Sequence, residues 1–215
     1  MIFSHSWSAY LRASAVILLM VTLVACGNAN TTDPTQNSGP FATFLKDVEF
    51  FNIAHPVAVV ETDQGTFAIE LYKTQAPNSV AHFIAQAIDT RYDGSSVYNT
   101  ISNFAVYLGD KSGAAKEALD VEPINLETHP DLKHDSAGVV GLVHESGAQC
   151  VSSPNKEQCA KDSLNSAKTF FYITLSPQPT LDGSYAVFGK VAKGLEIVKG
   201  LRKGNKITKI TILQK

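Results

Sequence analysis

The residues whose types and spacing invite a chemical reading are three cysteines, three neighbouring histidines and one basic run. Cys26 follows Leu23-Val24-Ala25 and precedes Gly27 at the end of an apolar stretch, the arrangement in which small residues admit a signal peptidase and the thiol is then acylated. Cys26 is therefore the expected lipidation site. Cys150 and Cys159 bracket Val-Ser-Ser-Pro-Asn-Lys-Glu-Gln, too wide a gap for a Cys-x-x-Cys redox or zinc motif, and no second pair completes a metal site. In an exported chain such a pair suggests a disulfide, which for so short a loop stabilises by at most about 3 kcal/mol. His129, His134 and His144 lie five and ten residues apart, spacings that match no helical ligand pair, so they read as surface histidines and no metal is expected. Arg202, Lys203, Lys206 and Lys209 read as a solvated face. Gly-x-Gly-x-x-Gly, Walker-type and Gly-x-Ser-x-Gly patterns are absent, so no cofactor is expected.

These residues sit in a chain that divides into an address, a tether and a domain. Arg12 precedes a mostly apolar run from Ala13 to Ala25, shorter than the roughly 20 residues a membrane-spanning helix needs. Residues 1–25 are read as a signal peptide whose end resembles a bacterial lipobox. Residues 26–50 are read as the lipidated cysteine and a flexible tether, since Gly27 to Pro40 is small, polar and without apolar period. Residues 51–215 form the domain. The expected location is the bacterial cell envelope, lipid-anchored and facing the periplasm or exterior. Gly27, in place of an aspartate that favours inner-membrane retention, points to the outer membrane. Loss of residues 1–25 removes Arg12 and Trp7, leaving 17 basic against 20 acidic side chains and no tryptophan. A chain with 18 basic and 20 acidic residues has no surplus cations for a phosphate backbone, which excludes nucleic acid as a partner. With 44% hydrophobic and 18% charged residues it is not globally disordered.

Within the domain the periodicity is mainly that of strands. Val57 to Glu61 alternates before Asp63-Gln64-Gly65, and Thr66 to Leu71 follows, which predicts a hairpin. Pro77 stands at a first helical turn ahead of Val80, Phe83, Ile84 and Ala87, predicting an amphipathic helix that ends near Tyr92-Asp93-Gly94. Short apolar runs at 97–101, 104–108, 138–143, 170–174 and 185–191 predict further strands, 195–201 a second helix and 207–213 a closing strand.

The stretches Val60-Glu61-Thr62-Asp63-Gln64-Gly65-Thr66, Ala76-Pro77-Asn78-Ser79-Val80-Ala81-His82-Phe83, Tyr92-Asp93-Gly94, Asn165-Ser166-Ala167, Leu181-Asp182-Gly183 and Val187-Phe188-Gly189-Lys190-Val191 occur in an order that resembles the cyclophilin-type peptidyl-prolyl isomerases. The resemblance covers about Val57 to Leu213. It implies a mainly β fold, an eight-stranded antiparallel barrel capped by two α-helices, with a proline pocket on its outer face. Rotating an X-Pro bond means crossing a barrier of ~18 to 20 kcal/mol without a covalent intermediate. By resemblance, an arginine hydrogen-bonds the prolyl nitrogen beside an apolar cup.

In this chain Asn99, within Val97-Tyr98-Asn99-Thr100, occupies the arginine's place. Ala105 stands for a methionine, Tyr107 and Phe170 for glutamines, and Tyr185 for a histidine, while Phe104, Tyr172 and Leu181 remain compatible with a ring-binding cup. Thr180 replaces the tryptophan of many members. An asparagine has neither the reach nor the charge of a guanidinium. Losing one preorganised donor typically costs about 2.7 to 4 kcal/mol of transition-state stabilisation, so weak isomerase activity on proline-containing segments is expected. Two alternatives stand beside it: a non-catalytic module that binds proline peptides or envelope client proteins, and a scaffold whose Cys150 to Cys159 loop is the working surface.

Overall fold

The computed structural model describes residues 41–45, 55–112 and 120–214. Cys26, the apolar leader and most of the expected tether lie outside them. Eight strands follow the apolar runs: β1 (Val57–Thr62), β2 (Gly65–Leu71), β3 (Asn99–Ile101), β4 (Ala105–Leu108), β5 (Val139–Leu142), β6 (Phe171–Thr174), β7 (Val187–Lys193) and β8 (Ile207–Leu213). They pair antiparallel throughout in the order β3-β4-β6-β5-β7-β2-β1-β8. The two outer strands meet just before they start, where Val97 N–H donates to Asn205 O at 2.9 Å and Gly204 N–H to Val97 O at 2.8 Å. The sheet thus curls into a barrel.

Alternation decides which side chains fill it. Phe67, Ile69 and Leu71 of β2, Val106 and Leu108 of β4, Phe171 and Ile173 of β6, and Phe188 of β7 point inward and are fully buried. Helix α2 (Pro77–Ile88) closes one opening with Val80, Phe83 and Ala87. The Phe83 ring lies 5.5 Å from Phe171 and 5.0 Å from Phe188. Ala76 offers no side-chain cap, and the first turn is instead bound by a distant carboxylate: Glu127 accepts from Asn78 N–H at 3.1 Å and Ser79 N–H at 2.7 Å. α2 ends at Ile88, one turn earlier than the Tyr92-Asp93-Gly94 signal predicts. Helix α4 (Leu195–Gly200) buries Val198 against the same core.

Two helices were not expected. Helix α3 (Lys156–Leu164) lies in the cysteine loop, which Cys150 and Cys159 close as a disulfide with Cα atoms 5.5 Å apart. Its Asn155 cap accepts from Gln158 N–H at 3.2 Å, and Ser163 is the residue it buries. The short helix α1 (Ala42–Leu45) falls inside the stretch read as tether. Phe41 and Phe44 flank and belong to it, three residues apart, and pack on the outer faces of Val57, Val59 and Ala68, and Lys193 both donates to Phe44 O and lies 5.1 Å from the Phe44 ring. Among the described residues no helix is long and apolar enough to cross a membrane.

Candidate functional site

Direct pairing places Asn99 opposite Tyr107, Tyr107 opposite Tyr172, and Tyr172 opposite Gly141. Residues paired in this way share a face, so β3, β4, β6 and β5 carry one row across the outside of the barrel. Their chain neighbours Val106, Phe171 and Val140 point into the core.

The centre of the row is Tyr172, only 2% exposed. Its ring lies across β5: a Cβ on Gly141 would come within 2.4 Å of the Tyr172 hydroxyl. Glycine is what lets a second backbone or ring approach so closely. Beyond the strand that hydroxyl meets His134 Nε2 at 2.7 Å, while His134 Nδ1 is 2.8 Å from Asp182 Oδ1. The same carboxylate oxygen accepts from the His134 backbone N–H at 2.8 Å. A carboxylate can only accept, so Nδ1 carries a hydrogen, and in the neutral ring Nε2 accepts from the tyrosine. Burial pushes the Tyr172 hydroxyl well above its ordinary pKa, helped by Tyr185, Tyr107 and Asp182. For Asp182 burial alone raises the pKa, but the two His134 hydrogen bonds and Lys133 outweigh it and hold the carboxyl below its ordinary range.

Two half-buried tyrosines cover this floor. The Tyr107 ring centre is 6.1 Å from that of Tyr172, and Tyr185 meets Tyr172 edge-on at 5.9 Å. Burial, then Tyr185, raises the Tyr107 pKa. Gly183, at φ 76°, turns the chain so that Asp182 reaches His134 and Tyr185 returns to the row. His144 stacks on Tyr185 at 4.3 Å, and its two ring nitrogens face the carbonyls of Glu145 and Ser184. At the other end Tyr98 links Tyr107 at 5.8 Å with Phe170 at 4.5 Å. The result is a band of aromatic rings running from Phe170 to His144.

Of the residues expected at the site, Asn99, Tyr107, Phe170, Tyr172 and Tyr185 come together in this band. Asn99 is exposed at its edge, and Ala105 is fully buried on β4 two residues before Tyr107. Phe104 and Leu181 are half-buried on the approaches, at the start of β4 and at the end of the 3₁₀ turn Pro179–Leu181. Tyr98, Gly141, His134, Asp182 and His144 were not expected there. His134 is a correction: it is completely buried and hydrogen-bonded at both nitrogens, because the cross-strand hole at Gly141 draws the Tyr172 hydroxyl toward it. A glycine inside an apolar strand run was the signal that could have found this contact. His129 lies apart, 3.7 Å from Asp131. Among the described residues no three His, Cys, Asp or Glu side chains are grouped to hold a metal.

Neither described arginine serves the band. The Arg91 guanidinium is 2.7 Å from Asp120 Oδ2, and Arg202 Nη1 donates to Lys199 O and Leu201 O, both at 2.8 Å. Next to the band lies a cavity of about 1040 Å³, walled by Phe170, His144 and Glu145 on the barrel side and by Gln158, Cys159 and Asp162 of α3 on the other.

A family model described as "Cyclophilin type peptidyl-prolyl cis-trans isomerase/CLD" matches residues 57–214. A Neurospora crassa protein named peptidyl-prolyl cis-trans isomerase-like 1 is 33% identical over 142 residues, 65% of this chain and 77% of that one. Its Aspergillus fumigatus namesake is 33% identical over 151 residues, 68% and 83% of the two chains. Among solved structures, a cyclophilin type peptidyl-prolyl cis-trans isomerase from Cryptosporidium parvum shares the fold at a TM-score of 0.61 with 24% identity, over 75% of this chain and 99% of that one. A second structure of that protein, in the presence of the dipeptide Ala-Pro, gives 0.59 over 74% and 99%.

Proposed function

The chain belongs to the cyclophilin-type peptidyl-prolyl cis-trans isomerase family, and from that premise we propose a low-turnover isomerase that works on proline-containing segments at the outer face of the barrel. The observation that carries the reduced rate is Asn99 at the exposed end of the Tyr107–Tyr172 row, with Arg91 and Arg202 both engaged elsewhere. The Ala-Pro dipeptide present with the Cryptosporidium relative supports a peptide as the partner.

Bond rotation needs a donor that strengthens its hold as the prolyl nitrogen becomes pyramidal. A neutral amide on a short stem gives a weaker version of that interaction than a guanidinium. The aromatic band supplies the other half of the task, an apolar and partly polar-rimmed surface against which a proline ring packs without needing a cation.

An isomerisation assay on an X-Pro peptide tests this reading. Asn99→Arg is expected to raise kcat/KM by about a hundredfold, the effect of one restored donor of roughly 2.7 kcal/mol. Wild-type activity already equal to that of the arginine variant would overturn it.

A second reading rests on the aromatic band itself, against which a proline ring packs without needing a cation: the band retains extended client segments and releases them unturned. Peptide binding by NMR titration with no gain of turnover in Asn99→Arg would select it. For either reading, the Cys26 pattern and the Cys150–Cys159 disulfide support a lipid-anchored domain in an oxidising compartment of the bacterial envelope.

A further inference from the structure

The basic run that reads as a solvated face in the sequence is divided by the fold. Arg202 and Lys203 converge with Lys199, from the last turn of α4, on a hollow of about 660 Å³ whose remaining polar wall is Thr100, Ser102 and Asn103. Lys206 and Lys209 do not reach it. No carboxylate is among the described residues lining this hollow.

Its geometry separates it from the aromatic band. Asn99 and Ile101 are the exposed residues of β3, and Thr100 between them is turned to the opposite side. The hollow therefore backs onto the strand whose front carries Asn99.

Three features point to an anion. First, the chain as a whole is acidic, at formal charge -2, yet it assembles three cations around one concavity. Like charges gathered without a carboxylate repel one another, and a concave wall of one sign concentrates counter-ions. Second, the Arg202 guanidinium is held in place before any ligand arrives, through Nη1 to the carbonyls of Lys199 and Leu201, which leaves its other N–H groups to donate. A guanidinium fixed in this way loses little freedom on binding an oxyanion. Third, the Thr100 hydroxyl is buried with no hydrogen-bond partner among the described residues, immediately behind the wall it helps to form. A buried hydroxyl without a partner is unfavourable, and a small rotation of the Thr100 side chain toward the hollow would let an oxygen seated there accept from it.

We propose that the Lys199, Arg202 and Lys203 hollow is a phosphate-binding site. Phosphate, with several acceptor oxygens and more than one charge, matches three converging cations and the small hydroxyl and amide groups between them. The phosphate comes from a soluble molecule or from a lipid headgroup, which share this chemistry.

The test follows backbone amides of the unacylated full chain by NMR during titration with inorganic phosphate, and in parallel with vesicles of phosphatidylglycerol or of phosphatidylcholine. Saturable shifts at Thr100, Ser102, Asn103 and Lys203 are expected, with the affinity falling at least tenfold in the Arg202→Gln/Lys203→Gln variant. Both side chains are exposed, so the variant keeps its fold, which an unchanged melting temperature in phosphate-free buffer verifies. The same shifts with phosphatidylglycerol but not phosphatidylcholine assign a headgroup. A phosphate response without vesicle preference assigns a soluble ligand. Shifts that fail to saturate with either probe, or that persist equally in the variant, overturn the site.

Discussion

Tyr172 is the residue on which the geometry of the band turns, since it is packed like a core side chain yet lies on the outer face. Removing only its oxygen in Tyr172→Phe leaves His134 Nε2 buried without its 2.7 Å partner, and the stranded group costs about 1 to 3 kcal/mol. Denaturant unfolding should register that loss. The ring itself keeps its van der Waals contacts, so peptide affinity should change far less than stability. Asp182 adds an acid-sensitive element. Its folded pKa is lower than in the unfolded chain, where an aspartate titrates near ~3.9, so its contribution is complete above that value and disappears as pH falls through the folded pKa. Asp182→Asn should therefore lower stability at neutral pH and flatten the decline on acidification below about pH 4. An unfolding series from pH 7 to pH 2 decides this; an unchanged acid limb would place the sensitivity elsewhere.

Elements were legible in the sequence to the extent that they bury an apolar face. The β1–β2 hairpin, α2, α4 and β8 follow from alternation or helical spacing because each contributes side chains such as Phe67, Phe83, Val198 and Ile210 to one core. α3 was invisible for the converse reason. Lys-Glu-Gln-Cys-Ala-Lys-Asp-Ser-Leu has no apolar stripe, and its order comes from the Asn155 cap and the disulfide rather than from a core. The band was half legible: the strand residues could be placed by order along the chain, while His134 and Asp182 enter through a loop contact that only the gap at Gly141 permits. A helix held by a cap and a staple should be lost when the staple is cut. Reduction of Cys150–Cys159 is expected to cost up to about 3 kcal/mol locally and to speed amide exchange across residues 148–164, with β4, β6 and β7 unaffected. Exchange that rises equally in those strands would show instead that the loop supports the barrel. Because α3 forms one wall of the 1040 Å³ cavity, that cavity should lose its definition together with the helix.

At the scale of the whole molecule, the docking of Phe41 and Phe44 on Val57, Val59 and Ala68 shortens the expected free tether to the residues between Cys26 and Pro40. With a lipid on Cys26 as proposed, a coil of about fourteen residues would span roughly 20 Å and would keep the domain close to the bilayer surface. Cys26→Ser should then move the protein from the membrane fraction to the soluble one without changing the melting temperature of the barrel. Retention in the membrane fraction would exclude acylation as the anchor.

The composition of the band also gives the folded domain an optical signature. Residues 41–214 contain no tryptophan and six tyrosines, of which Tyr98, Tyr107, Tyr172 and Tyr185 belong to one ring system. Near-ultraviolet emission and dichroism of residues 41–214 accordingly originate largely in this band, so that occupancy of the proposed site can be followed by the native fluorescence of the domain, with no dye attached.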